Sequence, residues 1–149
     1  MIELAVIGAG PAGLAVGVAA RQEGIGCVLF EKGSIVRTIA GYPTYMTFFS
    51  TAEKLELGGI PFVVVGDKPT RREALKYYVR VADHFQLDIH QYEEVVEVVR
   101  QDSGFRLRTR RHTGEEREQQ ARRVVVATGY FDTPNLLGVP GEDLPKVTH

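Results

Sequence analysis

The chain has a single cysteine among its 149 residues, no tryptophan and two methionines. A lone thiol, Cys27, excludes an intrachain disulfide, a C-x-x-C redox pair and a cysteine-rich zinc site. It points to a reducing, cytoplasmic setting. An excess of one charge is also missing: 18 Lys plus Arg against 19 Asp plus Glu leave a net charge of −1. That balance argues against a basic nucleic-acid platform and against an acidic solvating tail. No apolar run approaches the ~20 residues that span a bilayer, so no membrane partner is expected. Met1-Ile2-Glu3 leads straight into a strand-like run, which is not the pattern of a signal peptide. His84, His90, His112 and His149 share no recognised ligand spacing, so no metal is expected. What is present suits one folded domain: 44% hydrophobic and 25% charged residues, with 16 glycines marking points where backbone conformation matters.

Ile2 to Ile7 is a short apolar run that ends at Gly8-Ala9-Gly10-Pro11-Ala12-Gly13. Such a run, stopped by glycine, predicts a strand buried on both faces. Pro11 suits the first turn of a helix that continues to Glu23, and its small residues Ala12, Ala15, Val16 and Ala19 favour close packing on a sheet. Cys27 to Phe30 predicts a second buried strand closing at Glu31. Together these segments make a right-handed β-α-β unit.

Lys32 to Lys68 lacks clean periodicity and predicts a long excursion with short elements, including a helical turn near Thr51 to Leu57. A connection of that length is uncommon unless it has a job such as lining a ligand. Thr70 and Glu73 form a capping box for the next helix, whose apolar stripe reads Leu75, Tyr78, Val79, Ala82 and Phe85. Leu87 to His90 predicts a third parallel strand. Val95 to Val99, Phe105 to Arg111 and Glu118 to Arg123 then alternate with period two, predicting three antiparallel strands. Val124 to Ala127 returns to a buried run and stops at Thr128-Gly129. Domain boundaries follow: residues 1–131 form the domain, and 132–149 read as an extended, linker-like tail.

The G-x-G-x-x-G of Gly8, Gly10 and Gly13 lies between a strand and a helix, with an acidic residue closing the next strand. In that setting Gly8 permits the tight turn, Gly10 lets backbone approach a pyrophosphate, and Gly13 lets helix and strand pack closely. The helix N-terminus offers free N–H groups to phosphate. Glu31 can accept hydrogen bonds from ribose hydroxyls and repel a 2′-phosphate. On this reading Glu31→Gln keeps one acceptor and costs less affinity than Glu31→Ala.

With Ala127-Thr128-Gly129 added, the chain resembles the two-dinucleotide-binding-domain flavoproteins that include thioredoxin reductase. The resemblance implies an α/β, Rossmann-like FAD-binding domain with a parallel sheet, a crossover helix and a three-stranded antiparallel insertion. It implies that FAD is held by Gly8, Gly10, Pro11, Ala12, Gly13, Glu31, Lys32, Thr47, Val95, Ala127, Thr128 and Gly129. Val95 would bring its backbone near the adenine. The Met46 to Thr51 run could approach the flavin ring, with Phe48 or Phe49 covering a face; equally, both Phe residues could be core and Thr47 and Thr51 turn caps.

Tyr42-Pro43-Thr44-Tyr45-Met46-Thr47-Phe48-Phe49-Ser50-Thr51, Leu57-Gly58-Gly59-Ile60-Pro61-Phe62 and Gly129-Tyr130-Phe131-Asp132 narrow this further. They resemble the bacillithiol-disulfide reductases, thioredoxin-reductase-like NADPH flavoenzymes. That resemblance implies a flavin-dependent NAD(P)H oxidoreductase acting on a small-molecule disulfide or another electron acceptor. NADPH would bind only through a second nucleotide domain, for which no second G-x-G-x-x-G is present here. The 149-residue chain alone is then a portion that is inactive by itself, and homo-oligomerisation stays open. Many members carry cysteine where this chain has Ala12, so thiol exchange at that position is excluded. Cys27 is read as a small buried hydrophobe rather than a replacement. No catalytic residue is assigned.

Three other readings compete: a flavin monooxygenase, suggested by Ala127-Thr128-Gly129 with Pro134; a non-catalytic FAD- or nucleotide-binding module; and a plain NAD domain. Arg106, Arg108, Arg110 and Arg111 read as a solvated strand face paired with nearby glutamates. Asp132, Glu142 and Asp143 have no evident partner base and read as loop carboxylates.

Overall fold

A computed structural model describes residues 1–147. Strand β1 (Ile2–Ile7), helix α1 (Pro11–Gln22) and strand β2 (Cys27–Glu31) form the expected β-α-β unit. Helix α2 (Arg37–Gly41), a 3₁₀ turn (Ala52–Leu55), helix α3 (Arg71–His84) and strand β3 (Asp88–Gln91) follow. Strands β4 (Glu93–Gln101), β5 (Gly104–Arg111) and β6 (Glu116–Val126) complete one six-stranded sheet of order β3-β2-β1-β6-β5-β4. The fold is α/β and Rossmann-like, as expected.

One boundary differs from the sequence reading. The third antiparallel strand and the later apolar run are a single strand, β6. Its first part pairs antiparallel with β5, from Glu116 opposite Arg110 to Ala121 opposite Phe105. Its last part pairs parallel with β1, from Ala121 opposite Ile2 to Val126 opposite Ile7. The change from polar alternation to Val124-Val125-Val126 marks a change of neighbour, not a break in the chain.

Burial explains both faces. Leu4 and Val6 of β1 point toward α1 and α3, joining Leu14, Val18, Tyr78 and Val81. Ala5 and Phe30 point the other way, where Leu107 and Ala121 meet them. Contact between β4 and β2, which are not neighbours in the strand order, shows that the antiparallel ribbon curls over this second face. The sheet thus covers one of its own sides with its own strands.

The Thr70–Glu73 capping box is present, with the Thr70 N–H donating to Glu73 at 2.8 Å. The α3 stripe is rotated from the expected one: Ala74, Tyr77, Tyr78, Val81 and Ala82 are buried, while Val79 is 40% exposed. Tyr77 explains the rotation. Its ring stacks on Phe62 with centroids 4.1 Å apart, and its hydroxyl accepts from Leu57 N and donates to Ile60 O. The long excursion is therefore fixed by α3, with Phe62 and Ala52 in the core. Helix α2 was not legible in the sequence. It is one short turn entered through Val36 at φ +50°, a left-handed conformation that β-branched residues rarely adopt.

Among the described residues, no helix is long and apolar enough to cross a membrane. The tail from Asp132 to Val147 contains turns and no helix or strand; Thr148 and His149 lie outside the described residues.

Candidate functional site

The site forms at the C-terminal edge of β1, β2 and β6, where parallel strands leave a crevice. Gly8 follows β1 at φ +106°, and a Cβ there would collide with the Ala127 carbonyl oxygen. The first glycine thus serves two needs: the turn, and contact with the strand end of β6. Gly13 sits inside α1, where a Cβ would overlap the Gly8 carbonyl oxygen. Gly10 differs from both. As N-cap of α1 it has nothing within 4 Å of its would-be Cβ, so its missing side chain leaves space toward the cavity.

A cavity of about 400 Å³ opens at this edge. Gly8, Gly10, Pro11, Ala12, Glu31, Lys32, Val95, Ala127, Thr128 and Gly129 all line it. Ten of the twelve expected site residues are therefore brought to one place by four separate chain segments. Gly13 stands behind the turn and shapes it without facing the cavity. Thr47 does not line it: its backbone bridges to Thr70, and the residue is exposed. Phe48 and Tyr42 line the cavity as a T-shaped pair, whereas Phe49 is 91% exposed and does not line it.

Glu31 is buried, with 7% of its surface exposed. Its Oε2 accepts from Ala9 N at 2.9 Å and its Oε1 from Gly33 N at 2.8 Å. One carboxylate therefore locks the glycine turn to the end of β2. Each oxygen keeps a further lone-pair direction for a hydroxyl donor. This second duty, holding the turn, was invisible in the sequence, because nothing in a linear chain pairs position 9 with position 31.

Asp132 is more than a loop carboxylate: Lys32 Nζ donates to its Oδ2 at 2.6 Å and Arg37 Nη1 to its Oδ1 at 3.2 Å. The Lys32 hydrogen bond is the main reason that its carboxyl lies below the usual carboxylate range. All three residues line the cavity. Glu142 also has partners, accepting from Leu137 N and Gly138 N at 2.6 and 2.7 Å.

Cys27 lies at the opposite end of β2 from Glu31, about 13 Å away by the rise of a strand. Burial, helped by Asp88, raises its thiol pKa to about 11. The residue is therefore a protonated, partly buried side chain remote from the cavity, and the cavity contains no thiol. The arginines of β5 are paired across strands, Arg106 with Glu118 at 2.7 Å and Arg110 with Glu94 at 2.9 Å. They form a solvated ladder, as expected.

Residues 5–149 match the family model described as pyridine nucleotide-disulphide oxidoreductase. The chain belongs to that family. It is 41% identical over 145 residues to bacilliredoxin reductase Bdr of Bacillus subtilis (strain 168), covering 97% of this chain and 43% of that protein. The solved bacillithiol disulfide reductase Bdr (YpdA) from Bacillus cereus superposes with a TM-score of 0.94 at 40% identity, covering 99% of this chain and 46% of that one. A flavin-containing monooxygenase from Stenotrophomonas maltophilia is more distant, with a TM-score of 0.75 at 26% identity, covering 90% of this chain and 41% of that one. The chain thus spans under half the length of these relatives. Membership of the pyridine nucleotide-disulphide oxidoreductases implies a flavin cofactor.

Proposed function

We propose that this chain is the FAD-binding portion of an NADPH-dependent flavin disulfide reductase that acts on a small-molecule disulfide. The observation that carries the reading is the single cavity shared by the glycine turn, Glu31 and Ala127-Thr128-Gly129, in a fold that follows part of the bacillithiol disulfide reductase over 99% of this chain. The fit to FAD rests on two features. Gly10 leaves open space beside the α1 N-terminus, where backbone N–H groups and the helix dipole favour a pyrophosphate. Glu31 is a buried carboxylate with acceptor capacity left at the place where a ribose would lie.

Bound flavin would supply the two-electron relay between a reduced nicotinamide and the acceptor. The reaction balances as NADPH, a proton and a disulfide giving NADP⁺ and two thiols. The chain's own residues orient and bind: the turn takes the pyrophosphate, Glu31 the ribose, the Val95 backbone the adenine edge. Tyr42 and Phe48 wall the side of the cavity formed by the excursion. Because Ala12 stands in the cavity and Cys27 is remote, this portion contributes no exchanging thiol. The nicotinamide would bind outside these 149 residues. The lone unpaired thiol fits a reducing, cytoplasmic setting.

Titrating the chain with FAD, followed by absorbance and calorimetry, tests the binding half of the reading. Saturable one-to-one binding is expected. Gly10→Ala should keep the wild-type unfolding midpoint yet lose at least about tenfold in FAD affinity, since the methyl enters the pyrophosphate space. Equal FAD affinity in Gly10→Ala would remove the site. After anaerobic reduction of the loaded chain, reoxidation by a low-molecular-weight disulfide supports the reductase. Reoxidation by oxygen alone, with oxygen inserted into a nucleophilic additive, favours the monooxygenase.

A further inference from the structure

Lys32 and Arg37 reach the ribose end of the cavity from two elements, the end of β2 and the start of α2. Both are held by one carboxylate, Asp132, which arrives from the segment after β6 and takes one cation on each oxygen. Two cations flanking a bidentate oxyanion are the arrangement that also receives a phosphate. Glu31 makes no ion pair with either cation; its oxygens accept from Ala9 N and Gly33 N instead. Of the other charges on this side, Glu94 is engaged by Arg110 at 2.9 Å, and Arg111 by Glu93 at 3.2 Å. Lys32 and Arg37 also form the wall between the cavity and an adjoining cleft lined by Arg110, Arg111 and His112. Formal charges of Glu31, Lys32, Arg37 and Asp132 cancel; without Asp132 the group carries +1.

We propose that Asp132 is a specificity-determining residue, an internal anion seated where a second phosphate on the adenosine ribose would otherwise bind. With it in place the cavity accepts adenosine nucleotides whose ribose carries free hydroxyls and refuses those with a ribose phosphate. Without it, Lys32 and Arg37 become a phosphate subsite. The selectivity attributed to Glu31 alone is then shared. Glu31 offers the hydroxyl acceptor, and Asp132 occupies the anion seat. This inference rests on the reading that the cavity holds the adenosine of FAD with its ribose at Glu31.

The test compares three probes, FAD, 5′-ADP and adenosine 2′,5′-bisphosphate, on the wild-type chain and on Asp132→Asn by calorimetry. Wild type should bind FAD and 5′-ADP and bind the bisphosphate at least about tenfold more weakly than 5′-ADP. In Asp132→Asn the affinity ratio of bisphosphate to 5′-ADP should rise at least about tenfold, and this gain should shrink with added salt. Adding Lys32→Ala and Arg37→Ala to Asp132→Asn should abolish the gain. Using the ratio removes any general loosening of the cavity, because such loosening moves both probes together. An unchanged ratio in Asp132→Asn, with FAD still bound by wild type, overturns the subsite and leaves the FAD reading intact. A gain that survives loss of both cations also overturns it. Failure of wild type to bind either FAD or 5′-ADP overturns the adenosine reading and the subsite together.

Discussion

The two halves of the sheet are built on opposite plans. Around β1 and β2 the strands are apolar runs, with Ala5, Val6, Leu29 and Phe30 at most 1% exposed. In β4 and β5 the outward residues are charged and paired across strands, as in Arg106 with Glu118 and Arg108 with Glu116. The apolar half leaves its polar work to the strand ends, where backbone N–H groups, Glu31 and the glycine turn converge. The charged half spreads its polar groups along the strands, where water screens each pair. The candidate site lies in the first half because a crevice at the ends of parallel strands gathers donors from several segments. A solvated ladder gathers nothing. Strand β6 belongs to both, and its pairing changes at Ala121, the residue that faces Phe105 on one side and Ile2 on the other.

The strongest way to break this contrast is Gly13→Val. The added side chain overlaps the Gly8 carbonyl, so α1 must move off β1. Stability should fall by at least about 3 kcal/mol, measured as the urea midpoint, and FAD should no longer bind. A wild-type midpoint would show that the turn has slack that the packing does not suggest.

Next is Glu31→Gln. A neutral amide keeps one acceptor oxygen, but its NH₂ must face the N–H of Ala9 or of Gly33. It should therefore lose nearly as much FAD affinity as Glu31→Ala, about ten- to a hundredfold by titration. This reverses the expectation from sequence that the amide is the milder change. Affinity for Glu31→Gln within about threefold of wild type would return Glu31 to a ribose contact only.

The charged half contains one exception to its own plan. Glu93 is 1% exposed and accepts from Thr109 Oγ at 2.7 Å and from Arg111 Nε at 3.2 Å. Burial alone would raise its pKa, but those hydrogen bonds, with His90 and Arg111 nearby, outweigh burial and hold it below its ordinary value of 4.5. A depressed carboxyl contributes stability that is present above that ordinary value and is lost as pH falls through the folded one. Glu93→Gln should lower stability by about 1–3 kcal/mol at neutral pH and flatten the acid side of the stability profile. Denaturant midpoints taken across the acid range would check both. An unchanged acid slope would assign that slope to Asp132 and the other carboxylates instead.

The smallest effect belongs to the ladder. Arg108 meets Glu116 at 3.3 Å and Glu97 at 3.7 Å with 38% of its side chain exposed. Arg108→Ala should cost no more than about 0.5 kcal/mol, less in high salt, and leave FAD binding unchanged. A larger loss would mean that the ladder supports the curl of the sheet over β2.

Much of the site was legible because it is local. The turn after β1, the acidic end of β2 and Ala127-Thr128-Gly129 are short motifs whose chemistry depends on adjacent residues. Thr47 was expected at the site and does not line the cavity, because its backbone bridges to Thr70, the N-cap of α3 and far along the chain. Val79 was expected in the core because helical spacing defines a stripe but not its rotation, and the Phe62–Tyr77 stack decides the rotation.

The sequence by itself determined the strand–turn–helix–strand order, the capping box of α3, the remoteness of Cys27 from the glycine turn along β2, and most of the residues that line the cavity. These follow from periodicity, turn chemistry and neighbours in the chain. Only the tertiary structure decided that Glu31 holds Ala9, that β6 is one strand with two kinds of partner, and that Asp132 sits between Lys32 and Arg37. Each of those joins residues far apart in sequence. A hydrogen bond or ion pair over such a separation leaves no periodic trace, because its geometry is set by how the sheet curls and the segments pack.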